Sequence, residues 1–149
     1  MFEFLEEIIA KSPRLKAFPG QDVSNELIAD AEKQLGLPLP LSYKHWLREY
    51  GNLSIGADQV FTLASIEDRE IADDDLIYNA RLVEGNDFPP AGLLPVYVPD
   101  SDEAFYFDTR HGLLEGEYPI VRFDYNDGTF STFSDSFLEF LMEIARQSA

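Results

Sequence analysis

Apolar residues in the first third of the chain recur at helical spacing. A first short helix is predicted to end before Pro13, because the residue preceding a proline is disfavoured in helical geometry. Its inward face comprises Phe2, Leu5, Ile8 and Ile9. After a loop at Pro19 and Gly20, Ser24 can cap a second helix, and Gly36 suits its left-handed end. The inward face of this second helix comprises Leu27, Ile28, Ala31 and Leu35.

The stretch LGLPLPLSYKHWLREYGN, residues 35–52, holds the only Trp and one of the two His residues. Pro38 and Pro40 keep the linker extended, and Pro40 sits at the start of a third helix, where its missing N–H costs little. Helical spacing then gives this helix an apolar stripe of Tyr43, Trp46, Leu47 and Tyr50. Rings at this spacing are typical of a hydrophobic core, so the stretch is interpreted as scaffold and not as a ligand site.

Beyond residue 56 the pattern changes from helical to alternating. The segments QVFTL, LLPVYV, EAFYFD, YPIVRFDY and TFSTF are predicted strands. The sequence NDG at 126–128 predicts a hairpin, since Asp-Gly tolerates positive φ in a tight turn. Residues 65–84 are predicted to be partly helical and solvated. A closing helix, capped by Ser134 or Asp135, buries Phe137, Leu141 and Ile144. The pattern predicts an α+β fold with an antiparallel sheet.

Length and charge limit the classes of protein to which this sequence can belong. At 149 residues the chain is predicted to form one domain, residues 1–149. Its net charge is −17; residues 1–50 contribute −2 and residues 51–149 contribute −15. Such a field repels nucleic acid and anionic lipid and speeds encounter with a basic partner. The alternative is that the acidity serves solubility.

Composition also predicts the cellular compartment. The chain has no Cys, which excludes disulfides and a thiol nucleophile. Acidic residues occupy the N-terminus where a secretory signal would be basic, and no apolar run is long enough to span a membrane. The expected location is the cytoplasm, without membrane attachment.

Motifs for catalysis or metal binding are scarce. His45 and His111 are too far apart in sequence to predict a zinc site, and a Ser101, Asp108, His111 triad lacks any nucleophile motif. The acids at 100–103 and 124–127 fail the calcium-loop pattern and are interpreted as turns. We therefore expect no metal, no cofactor and no enzymatic activity, with an unrecognised hydrolase as the rival class.

The segment AEKQLGLPLPLSYKHWLREYGN, residues 31–52, resembles the SUKH superfamily, also called the Smi/Knr-like family. The later segments GLLPVYV, EAFYFDT, GEYPIVRFDY and FSDSFLEFL follow in the order typical of that family. The resemblance implies a SUKH-like single domain, with a central, mostly antiparallel sheet flanked by N-terminal helices and a C-terminal helix.

The resemblance also implies a function. Bacterial relatives are commonly immunity proteins that neutralise a cognate toxin, often a nuclease, of polymorphic or contact-dependent systems; fungal relatives are linked to regulation of cell-wall synthesis. The acidity favours a basic toxin domain as partner, with a non-catalytic regulatory adaptor as the alternative. The predicted partner-binding residues are Asp73, Asp74, Asp75, Tyr78, Asp100, Asp102 and Glu103.

Overall fold

The computed structural model describes residues 1–18 and 23–148, and the predicted loop at Pro19 and Gly20 lies outside these ranges. Within the described ranges the helices are α1 (Glu3–Lys11), α2 (Asn25–Leu35), α3 (Leu41–Glu49), α4 (Leu76–Val83) and α5 (Phe137–Ser148). The strands are β1 (Leu15–Lys16), β2 (Ser54–Ile55), β3 (Asp58–Gln59), β4 (Leu93–Tyr97), β5 (Glu103–Asp108), β6 (Ile120–Asp124) and β7 (Thr129–Ser134). None of the helices in these ranges is long and apolar enough to cross a membrane.

Four predicted boundaries of the first three helices are confirmed: the end of α1, the start and end of α2, and the start of α3. Helix α1 ends before Pro13, at Lys11. The Ser24 side chain caps α2 by accepting a hydrogen bond from the Leu27 N–H at 3.2 Å. Gly36 ends α2 in the left-handed region, at φ +70°, where a residue without a Cβ is least strained. Helix α3 begins directly after Pro40.

The larger sheet is an antiparallel meander in the order β4-β5-β6-β7. A four-residue turn joins β6 to β7, and Gly128 in it has φ +71°, which confirms the hairpin predicted from NDG. A smaller antiparallel sheet joins β1, β2 and β3. The predicted strand QVFTL is largely wrong: strand pairing ends at Gln59, and Val60 and Thr62 form only isolated bridges.

One face of the large sheet packs against helices and forms the main core. Trp46 on α3 is 0% exposed; its ring centroid lies 5.7 Å from that of Tyr43 and 5.3 Å from that of Phe137 on α5. Phe107 on β5 lies 5.2 Å from Tyr43 and so joins the sheet to α3. The aromatic stripe of α3 is therefore scaffold, as predicted. We call this side of the sheet the inner face.

A single carboxylate fixes the starts of α3 and α5. Glu117 accepts hydrogen bonds from the N–H and the hydroxyl of Ser42, at 2.8 and 2.7 Å, and from the Phe137 N–H at 3.3 Å. These bonds satisfy donors that a helix leaves unpaired at its first turn. The predicted cap of α5 is wrong. The Glu139 N–H donates to the Ser136 hydroxyl, and not to Ser134 or Asp135. The α+β fold with its antiparallel sheet is confirmed.

Candidate partner-binding surface

Asp75, one of the predicted contact residues, is completely buried. Its carboxylate accepts the N–H groups of Tyr78 and Ala64, both at 2.8 Å, and lies 3.6 Å from the Arg69 guanidinium. The first bond caps α4, and the second ties that cap to the segment after β3. The prediction that Asp75 meets a partner is wrong, because a carboxylate with these hydrogen bonds and no exposure serves the fold.

Asp73 and Asp74 precede this cap and stay at the surface, Asp73 exposed and Asp74 partly so. Their backbone is fixed: the Asp74 carbonyl accepts the Thr62 N–H at 2.8 Å, and the Asp73 carbonyl accepts the Asn79 side-chain amide at 2.9 Å. Both residues line a surface depression of about 270 Å³. These carboxylates are therefore held on an ordered backbone before any partner arrives.

The same depression is lined by Asp58, which the sequence analysis missed. Asp58 opens β3, and its side chain accepts the backbone N–H of Asp100 at 3.0 Å. It thus joins two predicted acidic segments that are more than twenty residues apart. We call Asp58, Asp73, Asp74 and Asp100 the acidic cluster. No local signal marks Asp58, because its place beside Asp73 depends on how the small sheet packs.

The negative charge of the acidic cluster is not neutralised within the fold. None of its four carboxylates forms a salt bridge with a side chain in residues 1–18 or 23–148. Burial raises the pKa of Asp74, and the charges of Asp75 and Asp73 raise it further, against the opposing effect of a backbone hydrogen bond. Burial, together with the nearby charges of Asp58 and Glu103 and against the opposing charge of Arg14, raises the pKa of Tyr97 to about 12. A cation placed here would relieve this repulsion.

Asp102 and Glu103 lie beyond Asp100, at the start of β5. Asp102 is exposed, and its carboxylate accepts the Asn126 side-chain amide at 3.3 Å. Glu103 is half-buried and pairs with Arg122 at 2.6 Å, a hydrogen bond that raises the Arg122 pKa. Its charge is thus largely compensated, and Asp102 is the more available of the two.

The remaining predicted residue, Tyr78, does not join the acidic cluster. It lines a separate groove of about 340 Å³ together with Arg69, Glu70, Arg81 and Leu82. Two of these four neighbours are arginines, so the groove does not continue the negative field. The structure thus brings Asp73, Asp74 and Asp100 together and separates Asp75 and Tyr78 from them.

The side chains considered for catalysis are engaged elsewhere or exposed on separate elements. The Asp108 carboxylate binds Arg110, with both N–O distances 2.9 Å, and these hydrogen bonds hold its pKa below the ordinary value. His45 is exposed on α3, and His111 is exposed in a turn after β5. In the described ranges no group of three or more acidic or His side chains is arranged to hold a metal ion. A cleft of about 420 Å³ beside β4 is lined mainly by apolar and proline residues.

Comparison with known families identifies the fold. The family described as SMI1-KNR4 cell-wall, one of the SUKH families, matches residues 25–141, from α2 into α5. The chain therefore belongs to the SUKH superfamily, and membership supports an immunity-type or SMI1/KNR4-like function in general. No curated protein matches the chain.

Proposed function

We propose that this chain is an immunity protein that binds a basic toxin domain, most simply a nuclease, through the acidic cluster, and that it acts in the cytoplasm. The observation that carries the proposal is the set of four carboxylates, held on a fixed backbone, with no described side chain paired to them. Inhibition is stoichiometric and needs no catalytic group, metal or cofactor.

Electrostatics supports this partner chemistry. A nuclease must hold a polyanion, so its cleft is basic, and fixed carboxylates can take the positions of the phosphates. The −15 carried by residues 51–149 would steer such a partner from a distance. The raised pKa of Asp74 supports the same partner locally, since a nearby cation would stabilise the ionised form of this carboxyl.

A regulatory adaptor is the second candidate, and the description of the matching family, SMI1-KNR4 cell-wall, favours it. The gene context separates the two. A toxin gene directly beside this one supports immunity, whereas a gene for cell-wall synthesis in the same position supports the adaptor.

The direct test is co-expression with the toxin domain encoded beside this gene. Replacing the acidic cluster with isosteric amides (D58N, D73N, D74N, D100N) should abolish growth rescue and weaken binding in calorimetry, because the Asn side chains keep the shape and remove the charge. The matched control, E7Q, E26Q, E49Q and E67Q, removes the same charge from exposed positions outside the cluster and should rescue fully. Equal loss in both variants would refute the assigned surface.

A second test addresses the absence of catalysis. The double variant His45→Gln, His111→Gln should protect as well as the parent chain, since both imidazoles are exposed and lie on separate elements. Growth rescue and calorimetric stoichiometry measure this outcome. Loss of protection by a demonstrably folded double variant would contradict a purely stoichiometric mechanism.

A further inference from the structure

The outer face of the large sheet, opposite the helices of the main core, carries a cluster of partly exposed aromatic residues. Phe123 of β6 lies at its centre, with ring centroids 4.7 Å from Phe130, 4.8 Å from Phe88 and 4.9 Å from Tyr125. We call these four residues the outer aromatic cluster. Phe88 is 40% exposed, Tyr125 51% and Phe130 37%. Partly exposed rings grouped in this way are typical of interaction sites.

Strand β7 borders this cluster and is one of the two edge strands of the sheet. It pairs with β6 on one side only, and the side chains of residues 129–132 are all exposed. Edge strands are usually protected by charged residues or proline, which prevent pairing with other chains. The sequence TFSTFS of β7 contains neither. An unprotected edge beside an aromatic surface matches the strand-addition mode of peptide recognition.

Charge decides which extended segment fits this edge. Residues 93–134 contain eight acids and two arginines, and both arginines are already paired, Arg110 with Asp108 and Arg122 with Glu103. Asp87 directly precedes Phe88, Asp127 lies in the turn between β6 and β7, and the Asp102 carbonyl accepts the Tyr125 N–H. A second copy of this chain, itself at −17, would be repelled. A segment rich in Arg or Lys would be attracted and could place cations on the rings.

We propose that β7 and the outer aromatic cluster bind an extended basic segment of the partner, which adds as a further strand to the edge of the sheet. The inference rests on the proposed function in taking the partner to be basic, and it adds how that partner is held. The surface continues the acidic cluster: Asp102 follows Asp100 by two residues, and its carbonyl accepts the Tyr125 N–H at 2.8 Å. One basic partner could therefore contact both.

The test uses the purified full chain and a short capped peptide of alternating arginine and valine. Backbone pairing should slow amide hydrogen exchange at Phe130 and Thr132, whose N–H groups face away from β6, by about tenfold or more at saturation, as measured by NMR. The same peptide with alternate backbone amides methylated keeps its charge but cannot pair as a strand, and should bind at least about tenfold more weakly. A glutamate–valine peptide should not bind.

Two variants test the contribution of the rings. Tyr125→Ser should weaken binding of the arginine peptide by about two- to fivefold, through loss of an exposed cation–π contact. Phe130→Ser should weaken it at least as much, provided that circular dichroism shows an intact fold. The matched control is Phe18→Ser, which removes an exposed ring far from β7 in sequence and should leave affinity unchanged.

Two results would overturn the inference. The first is equal affinity for the methylated and unmethylated peptides, without slowed exchange at Phe130 and Thr132, which would mean purely electrostatic attachment. The second is dimerisation, seen by sedimentation, that itself protects these amides, because the occupant would then be a second copy. Neither experiment uses the toxin, so failure here is separable from failure of the co-expression test, which scores the proposed function.

Discussion

The two faces of the large sheet are both rich in aromatic residues, yet they differ in what covers them. On the inner face, α3 and α5 enclose Tyr43, Trp46 and Phe137, all 0% exposed. On the outer face, Phe88 comes from a loop, and Phe88, Tyr125 and Phe130 remain 37–51% exposed. Aromatic content alone therefore does not distinguish scaffold from binding surface. The distinction depends on whether another element of the chain completes the packing.

The acids before α4 repeat this contrast within three consecutive residues. Asp75 is buried beneath Ala64 and Tyr78, while Asp73 and Asp74 face the depression that they share with Asp58. Identical side chains therefore serve the fold in one position and supply a surface charge in the next.

Trp46→Ala should give the largest effect, because it removes the centre of the inner face. We expect a loss of about 3–5 kcal/mol in the free energy of unfolding, from lost burial and the cavity left behind. Urea titration measures it. Trp46→Phe is the control: it keeps much of the ring packing and removes a buried indole N–H that has no hydrogen-bond partner among the described residues, so it should cost far less. Unchanged stability of the Ala variant would place Trp46 outside the core.

Asp75→Ala should rank next, with a loss of about 3 kcal/mol. The substitution removes a helix cap and leaves Arg69, itself 5% exposed, without one of its two carboxylate partners. Asp73→Ala is the matched control and should change stability by less than about 0.5 kcal/mol. Similar losses in both variants would contradict the contrast between buried and exposed acids.

Phe130→Ser should cost clearly less than any truncation in the inner face, about 1 kcal/mol, because Phe130 already keeps part of its surface in water. The same urea titration measures this loss beside that of Trp46→Ala. A loss as large as that of the Trp46 variant would show that the outer aromatic cluster is a second core and not an available surface.

The architecture could be read from the sequence because its signals are local. Helix ends followed from Pro13, Ser24 and Gly36, and the β6–β7 hairpin followed from Asp-Gly. Two errors were avoidable by the same logic. Asp75 directly precedes Leu76 and Ser136 directly precedes Phe137, and a capping residue is expected immediately before the first helical residue.

The candidate surfaces could not be read in this way. Asp58 meets Asp100 across forty-two positions, and Phe88 meets Phe130 across the same separation. These contacts depend on sheet order and on loop packing, for which the local pattern of apolar residues carries no information. The charge of the second part of the chain predicted an acidic surface, but not which carboxylates compose it.

Asp74→Asn should give the smallest stability effect, and the size of this effect depends on pH. The raised pKa means that the folded state disfavours the ionised carboxyl, so the contribution of Asp74 to stability falls as pH rises from the unfolded value, about 3.9, through the folded one. The variant should gain at most about 0.5 kcal/mol at pH 7, because Asp74 remains partly exposed. Below the unfolded pKa the gain should vanish. A loss at pH 7 would contradict uncompensated repulsion in the acidic cluster.

The most direct test of the proposed acidic interface is the rate at which the chain associates with a candidate basic toxin domain, measured by stopped flow across a range of salt concentrations. At low salt the acidic-cluster variant, D58N, D73N, D74N and D100N, should associate about tenfold more slowly than the parent. This difference should narrow as salt screens the field. The control, E7Q, E26Q, E49Q and E67Q, should associate at nearly the parent rate. Equal rates for the parent and the acidic-cluster variant at every salt concentration would contradict the proposed acidic interface.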